Sequence, residues 1–426
     1  MSDWDVIIVG AGPSGLMAGC RAAQRGRRTL LIEKNRRAGA KILLSGGNRC
    51  NLTHATDERG IVEAFGQQGR FLHSALAALG PQQVIDLFAS EGVPTKVEDG
   101  GKVFPRSDRA ADVLAVLVRR LQQSGCVLSL DETVREMERA GPSFRVVTSR
   151  RTHTAKALVL TTGGKSYPGC GTTGDGYGWA EALGHSIVPP RPALVPITTH
   201  ASWVRALQGI TVPDVRVQVR GARVQNAVAG ETHGSGKRDA YPTLAERRGA
   251  LLFAHFGLSG PAVLDVSRAV SGHADPSILV LRCDFLPDQK EDQFAELVQR
   301  ECRDAGKRQL PGILGRWLPQ RLAETVLEQA GIAADRRAAE LTRDQRQAIV
   351  RGTKSLEIPI AGTMGFRKAE VTAGGVSLDE VDSRTMQSRI VPGLYFAGEL
   401  LDLDGPIGGY NFQAAFSTGW LAGECV

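Results

Sequence analysis

The stretch that decides the fold of this chain lies near its start and reads DVIIVGAGPSG from Asp5 to Gly15. Its apolar run is typical of a strand buried in a parallel sheet. The glycines that follow have the spacing G-x-G-x-x-G and open a helix predicted to run to about Gly26. A second apolar strand, 29–32, comes next and is followed by Glu33. The segment is therefore predicted to form a β-α-β unit.

The glycines and the acidic residue of this unit suit a bound dinucleotide. Gly10 allows the tight turn, Gly12 lets a pyrophosphate approach the backbone, and Gly15 allows the helix to pack closely on the strand. The helix N-terminus offers amide donors to the phosphates. Glu33 would accept hydrogen bonds from a ribose 2′-hydroxyl and repel a 2′-phosphate, which favours FAD or NAD over NADP. The cofactor contacts predicted here are Gly10, Ala11, Gly12, Pro13, Ser14, Gly15, Glu33 and Lys34.

A second group of candidate residues lies near the C-terminus and favours FAD over NAD. The strand at 392–397 ends in Gly398-Glu399, and a helix of small residues follows the sequence GGYNFQ at 408–413. In flavoproteins of this layout the strand-end acid bonds the ribityl chain, and the amides of the last helix face the flavin pyrimidine. The contacts predicted here are Gly398, Glu399, Gly409, Tyr410, Asn411 and Phe412.

Composition limits the class of protein. Glycine accounts for 50 of 426 residues, against about 7% in average proteins, and much of the excess falls in the segments predicted to hold the cofactor. The remaining composition is that of an ordinary globular chain, which excludes a collagen-like fibre, a coiled coil and a disordered protein. Seven cysteines without a metal-type or C-x-x-C spacing predict a reduced, cytoplasmic protein without structural zinc. We expect no membrane segment. The longest uncharged run near the start, 6–20, is too short and too rich in glycine to span a bilayer.

The chain is predicted to be an α/β protein with a discontinuous nucleotide-binding domain formed by residues 1–192 and 356–426. Between these parts we expect an inserted β-rich domain, 193–286, and a small helical domain, 287–355. Alternating Val and Arg at 215–220 predict a half-exposed strand in the insert. Residues 193–355 hold 23 Lys and Arg against 18 Asp and Glu, so most of the net charge of +7 falls there.

Two further glycine-rich stretches resemble nucleotide loops but lack the required context. Residues 169–174 also fit G-x-G-x-x-G, yet no strand with a terminal acid follows at the right distance. Residues 234–238 read GSGKR and lack both the upstream Gly and the Ser or Thr that a phosphate loop needs after its Lys. Neither is interpreted as a nucleotide site, so NAD(P)H is expected to act only as a transient electron donor.

Several longer motifs resemble signatures of the bacterial BaiN/RdsA (YhiN-like) flavoproteins, and the likeness covers nearly the whole chain. They are KILLSGGNRCNLT at 41–53, GGKSYP at 163–168, TGDGY at 173–177, GLSGP at 257–261, VTAGGV at 371–376 and GELLD at 398–402. The resemblance implies FAD in a first domain like that of glutathione reductase. It extends the expected cofactor contacts to Lys41, Ser45, Gly46, Asn51, Thr162, Gly163 and Gly164. Asn48 departs from the pattern, because a third Gly is expected there.

The resemblance also implies a reductase that acts on an activated C=C bond. Members of the family act on uridine in large-subunit ribosomal RNA, giving dihydrouridine, or on unsaturated bile-acid intermediates. Flavin provides a hydride for such a reaction, and the protein must provide a proton. The catalytic candidates are Cys50, in the most specific motif, and Tyr410, whose ring could instead only pack over the flavin. Tyr167, Cys170 and His255 are weaker candidates.

Three interpretations of function remain open. The first is reduction of uridine in ribosomal RNA, which the basic insert favours because phosphate contacts supply RNA affinity. The second is reduction or dehydrogenation of a small molecule, with the insert as a lid. The third is a non-enzymatic RNA-binding or sensor protein with structural FAD. A disulfide reductase is disfavoured because Cys50 has no closely spaced partner cysteine.

Overall fold

A computed structural model describes residues 2–221, 242–306 and 308–426. The described chain divides into two compact units, 1–193 with 365–426 and 194–364. The first is called the Rossmann unit below and the second the inserted unit. The GSGKR stretch at 234–238 lies outside the described residues.

Ten strands and helices of the Rossmann unit lie before residue 106. Its other elements lie between this point and the insert, and after the insert. Its elements are β1 (Trp4–Val9), α1 (Pro13–Gln24), β2 (Thr29–Ile32), α2 (Ala40–Asn48), β3 (Thr53–His54), α3 (Glu58–Ala64), α4 (His73–Ala78), α5 (Pro81–Ser90), β4 (Thr95–Glu98), β5 (Lys102–Pro105), α6 (Ala110–Gln123), β6 (Val127–Ser129), β7 (Val134–Ala140), β8 (Ser143–Thr148), β9 (Thr152–Leu160), α7 (Asp175–Ala182) and β10 (Ile187–Ala193).

The inserted unit follows, and the chain then returns to the Rossmann unit. The insert contains β11 (Ile197–Thr198), α8 (Ser202–Ala206), β12 (Thr211–Gly221), β13 (Thr243–Ala254), β14 (Gly257–Ser259), α9 (Pro261–Ser271), β15 (Leu279–Asp284), α10 (Glu291–Asp304), α11 (Leu310–Leu314), α12 (Gln320–Gln329), α13 (Arg343–Lys354), β16 (Leu356–Pro359) and β17 (Gly362–Thr363). The returning segment contains β18 (Val371–Val376), β19 (Leu394–Phe396) and α14 (Tyr410–Cys425).

The main sheet of the Rossmann unit is built on a parallel core. Its strands are ordered β6-β2-β1-β9-β8-β7, and β19 pairs in parallel with the last residues of β9. Strands β1, β2 and the end of β9 are buried, as their continuous apolar runs require. The predicted α/β fold class is thus confirmed, and β19 brings the C-terminal candidate residues to the same sheet as the β-α-β unit.

Two local details of the Rossmann unit follow from its residues. The segment 73–90 is helical except at a break between α4 and α5, where Leu79 and Gly80 leave the helical conformation. Pro81 explains the break, because a proline disfavours helix in the residue before it and starts the next helix well. Strand β6 pairs in parallel with β2 and so extends the parallel part of the sheet.

The inserted unit is a seven-stranded sheet covered by helices on one face. Its strands are ordered β16-β15-β12-β13-β14-β11-β17. Val215, Val217 and Val219 point into the core, so the predicted alternation of β12 is confirmed. Helices α10, α12 and α13 contribute to the same hydrophobic core. The structure groups residues 194–364 into one compact unit. The division of this region into two domains, 193–286 and 287–355, therefore stays a prediction.

Candidate functional site

The glycine turn after β1 has the geometry that a bound pyrophosphate needs. Gly10 has a φ of +102°, and a Cβ there would lie 2.7 Å from the Thr161 carbonyl oxygen. A Cβ at Gly15 would lie 1.9 Å from the Gly10 oxygen, so α1 packs directly on the turn. A Cβ at Gly12, in contrast, would meet no atom within 4 Å. Gly12 is also the N-cap of α1 and has no side chain to satisfy the first amides of the helix. The turn therefore leaves room and donors for an anion.

Glu33 is held at the end of β2, beside this turn. Its carboxylate accepts hydrogen bonds from the Ala11 amide at 2.8 Å and the Asn35 amide at 2.9 Å, one on each oxygen. The side chain is buried. Each carboxylate oxygen keeps a further lone pair and can accept a hydrogen bond from a ribose hydroxyl.

Lys34 and Asn35 attach a second loop to the end of β2. The Lys34 ammonium lies 2.6 Å from both Thr173 Oγ1 and an Asp175 carboxylate oxygen. The Asn35 side-chain amide donates to the Cys170 carbonyl at 3.0 Å. The stretch 169–174, which also fits G-x-G-x-x-G, therefore packs beside the predicted nucleotide turn.

The motif at 41–53 contains a run of left-handed backbone. Gly46, Gly47, Asn48 and Cys50 have φ values of +56°, +68°, +68° and +62°. Asparagine is among the few residues other than glycine that adopt this conformation readily. This explains how Asn48 can replace the glycine of the family pattern without changing the loop. The turn is closed by a hydrogen bond of 3.0 Å from the Cys50 amide to the Ser45 carbonyl.

Arg49 fixes this loop to the hairpin formed by β4 and β5. Its guanidinium lies 2.7 Å from a carboxylate oxygen of Glu98 and 4.0 Å from the centre of the Phe104 ring. Lys96 and Asp108 pair at 2.6 Å within the same cluster. No local pattern indicated these contacts, because they join residues on separate elements.

An ion pair between Lys41 and Glu399 connects the motif at 41–53 with the motif at 398–402. The Lys41 ammonium lies 2.6 Å from one oxygen of Glu399. The other oxygen of Glu399 accepts the Thr372 amide at 3.0 Å and the Ser166 hydroxyl at 3.1 Å. Gly164 leaves no room for a side chain beside this group, since a Cβ there would lie 2.3 Å from Thr372 Oγ1 and 2.9 Å from Glu399 Oε1. The structure thus brings together predicted residues from α2, from the loop after β9 and from the segment after β19.

The N-terminus of α14 completes the cluster. Gly398 donates its amide to Thr418 Oγ1 at 3.0 Å, and the Asn411 side chain bonds both the amide and the carbonyl of Gly405. Tyr410 stacks on His54, with ring centres 4.5 Å apart and planes 21° apart. His54 was not singled out from the sequence, although it follows the GGNRCNLT motif directly. The Asn411 and Phe412 side chains contact protein, Phe412 through the Phe416 ring at 5.8 Å.

The two catalytic candidates differ in accessibility. Cys50 has no exposed surface, and burial raises the pKa of its thiol to about 12, against a smaller lowering effect of Ser45. The Cys50 thiol is therefore enclosed by protein and protonated, and its role as proton donor stays a prediction. Tyr410 is partly exposed at the start of α14.

Two predicted cofactor residues carry buried polar atoms that have no hydrogen-bond partner among the described residues. They are Asn51 Oδ1 and Thr162 Oγ1. Buried polar atoms are normally hydrogen-bonded, and a polar ligand group is a suitable partner for them. Together with the open Gly12 and the fixed Glu33, these atoms fit a dinucleotide cofactor. The fold and the site define a dinucleotide-binding protein of the Rossmann type.

Comparison with known proteins identifies the family. Residues 4–425 match the model described as the HI0933-like protein Rossmann domain, and the chain belongs to that family. It is 35% identical over its full length to the ribosomal RNA dihydrouridine synthase of Escherichia coli, covering 98% of that protein. It is 33% identical to the Haemophilus influenzae protein of the same name, over 97% of this chain and 96% of the relative.

A third full-length relative has a different substrate. The 3-dehydro-bile acid delta(4,6)-reductase of Clostridium scindens is 30% identical over 98% of both chains. The family and the fold make this chain an FAD-dependent oxidoreductase, as the motifs predicted. In the described ranges, no helix has both the length and the apolar surface needed to cross a bilayer.

Proposed function

We propose that this protein reduces uridine to dihydrouridine in large-subunit ribosomal RNA. The observation that carries the proposal is the full-length similarity, at 35% and 33% identity, to two proteins named for that reaction. The cofactor site in the Rossmann unit has the parts that such a reaction requires. A ribosomal RNA substrate would also place the protein in the cytoplasm.

The residues that would hold FAD come from both ends of the chain. The turn at 10–15 and the first amides of α1 would bind the pyrophosphate, and Glu33 would bind the ribose of the adenosine. Glu399 would accept a hydrogen bond from the ribityl chain. The amides at the start of α14 would face the flavin pyrimidine. When bound, FAD supplies the hydride that reduces the substrate.

The chain's own residues have to orient a flat substrate and exclude water. The stacked pair of His54 and Tyr410 offers an aromatic surface of the kind that stacks on bases. His54 is held by a contact of 3.1 Å between its Nδ1 and the Gly408 carbonyl. We propose that this pair positions the pyrimidine by stacking.

One observation favours a small-molecule substrate as the second candidate. On the polar face of the β12–β13 ribbon, Arg248 pairs with Asp214 at 2.6 Å and with Asp288 at 2.7 Å. Arg216 lies 3.7 Å from Glu246 on the same ribbon. Arginines that already pair with carboxylates attract phosphates less. The net positive charge of the insert therefore supports an RNA substrate less strongly than the count of its basic residues suggested. The bile-acid reductase among the relatives makes a conjugated steroid ketone the alternative substrate.

The test uses the purified FAD-loaded protein with NADPH or NADH as electron donor. One reaction contains unmodified large-subunit ribosomal RNA made by transcription, and the other contains a 3-oxo-4,6-diene bile acid. We expect dihydrouridine in the RNA, measured by mass spectrometry after nuclease digestion. Reduction of the diene without any dihydrouridine would contradict the RNA substrate and support the small molecule. Deleting the gene in its host should remove dihydrouridine from the same RNA.

A further inference from the structure

The turn between β4 and β5 contains two glycines, and one of them lies against the ring of His54. Gly100 and Gly101 have φ values of +74° and +79°. A Cβ at Gly100 would meet no atom within 4 Å. A Cβ at Gly101 would lie 2.5 Å from His54 Nε2 and 2.8 Å from its Cε1. The two glycines therefore share a backbone conformation, but a side chain at Gly101 would occupy the place of the imidazole.

Backbone hydrogen bonds hold this turn and His54 in register. His54 pairs with Lys102 in the antiparallel ladder of β3 and β5. The Gly101 carbonyl accepts the Ala55 amide at 2.7 Å, and the Gly101 amide donates to the Glu98 carbonyl at 3.0 Å. The turn is thus bonded both to its own hairpin and to the residue after His54. Because these bonds hold the backbone, a side chain added at 101 would displace the imidazole rather than the turn.

The start of α14 contacts the same imidazole from another direction. Its Nδ1 lies 3.1 Å from the Gly408 carbonyl oxygen, so Nδ1 carries the proton of the neutral ring. One face of the ring stacks on Tyr410, with the planes 21° apart. His54 is partly exposed, and in the part of the chain that the structure describes no second aromatic ring stacks on it. The imidazole is therefore fixed along two edges and one face.

We propose that Gly101 is a positioning residue that favours a flat substrate, an inference that rests on the proposed function. A side chain at 101 would push on the Nε2 edge of His54. Movement within the ring plane is blocked, because the backbone holds Cγ and Gly408 holds Nδ1. The ring would therefore tilt away from its stacked orientation on Tyr410, and a pyrimidine would lose its stacking surface. A steroid carries hydrogens and methyl groups on both faces and stacks poorly in either case, so it would lose little.

The test compares Gly101→Ala with the matched control Gly100→Ala in the FAD-loaded protein. Both variants place alanine in left-handed backbone, so they share its strain and differ in the contact with His54. The flavin is reduced with stoichiometric dithionite, and stopped-flow absorbance follows its reoxidation by the RNA transcript or the diene. For Gly101→Ala we expect the RNA concentration at half-maximal rate to rise about 10-fold, with the maximal rate within about threefold of wild type. Gly100→Ala should match wild type.

Truncation of His54 shows whether Gly101 acts through that ring. His54→Ala should raise the half-maximal RNA concentration by about 10-fold, and adding Gly101→Ala to it should have little further effect, because the ring is already gone. A general structural role of Gly101 would instead give additive losses. Additive losses, or RNA saturation of Gly101→Ala at the same concentration as Gly100→Ala, would overturn the proposal. Equal losses with the RNA and the diene would contradict the preference for a flat substrate.

A measurement without substrate separates this proposal from the proposed function. In NMR spectra of histidine-labelled, FAD-loaded protein, the Tyr410 ring current shifts the signals of the stacked His54 ring, which are assigned by their loss in His54→Ala. The shift should persist in Gly100→Ala and decrease in Gly101→Ala. An unchanged shift in Gly101→Ala would contradict the positioning role for any substrate. A wild type that shows the shift but reduces neither substrate would contradict the proposed function, while the contact of Gly101 with His54 would stand.

Discussion

The two glycine-rich loops of the Rossmann unit have similar compositions for different physical reasons. In the loop 10–15, Gly10 and Gly15 have backbone atoms where a Cβ would stand. In the loop 45–51, Gly47 has open space around it, and what its position requires is a φ of +68°. Close packing is thus what requires glycine at Gly15 in the first loop, whereas left-handed backbone is what requires it at Gly47 in the second loop. Glycine counts alone do not separate the two, although substitutions should.

The largest effect is expected for Gly15→Ala. The new Cβ would lie 1.9 Å from the Gly10 oxygen and 2.7 Å from Thr161 Oγ1, so either α1 or the turn has to move. We expect the free energy of unfolding to fall by about 3 kcal/mol, measured by urea denaturation of the FAD-free protein. FAD content after purification should fall as well. A variant with wild-type stability would show that the packing of α1 on the turn is not tight.

Gly12→Ala is the matched variant in the same loop. Gly12 has a φ of −78° and a ψ of −173°, which alanine adopts easily, and its Cβ would meet no protein atom. Stability without FAD should be unchanged or raised by about 0.5 kcal/mol. The affinity for FAD should fall by about 10- to 100-fold, which corresponds to about 1.4–2.7 kcal/mol. Isothermal titration of the FAD-free protein measures it, and unchanged affinity would contradict the assignment of this turn to the pyrophosphate.

Gly47→Ala tests the second loop, where conformation rather than space is limiting. We expect a loss of about 1–2 kcal/mol in the free energy of unfolding, the cost of left-handed backbone for an L-residue. Gly141→Ala is a control, because Gly141 lies in the turn between β7 and β8 with a φ of +63° and equally open space. Similar losses in both variants would assign the effect to φ alone. A much larger loss at Gly47 would instead indicate a packing contact.

Asn48 gives the smallest expected effect. Asn48→Gly should change stability by no more than about 0.5 kcal/mol, because lower strain at a φ of +68° is offset by a more flexible unfolded chain. Asn48→Ala should cost about 1 kcal/mol, since alanine is strained there and lacks the local hydrogen bonding of asparagine. Thermal unfolding measures both. If Asn48→Gly were the more damaging of the two, the Asn48 side chain would have a role beyond its backbone conformation.

The first loop was predictable from sequence and the second was not. The motif at 10–15 follows one strand and precedes another, so its neighbours are local and the predicted positions of Gly10, Gly15 and Glu33 follow from the chain itself. The hairpin of β4 and β5 and the helix α6 were predictable for the same reason, because turn residues and apolar spacing act within a few residues.

The remaining parts of the site depend on contacts between distant segments. No local sequence pattern predicts that Lys41 pairs with Glu399 or that His54 stacks on Tyr410. The burial of Cys50 could not be predicted from its motif either, because a specific motif indicates that a residue is required but not whether it is accessible.

The parallel pairing of β19 with β9 sets the order in which the chain can fold during synthesis. Leu158 on β9 meets Leu394 on β19, and the whole of the inserted unit, 194–364, is translated between them. That unit has its own core and can begin to fold on the ribosome while the last residues of β9 still lack β19 as a partner. The Rossmann unit reaches its final form only after residues 394–425 have emerged. Until then the backbone of Leu158–Leu160 forms an unpaired strand edge, the kind of edge that can pair with other chains.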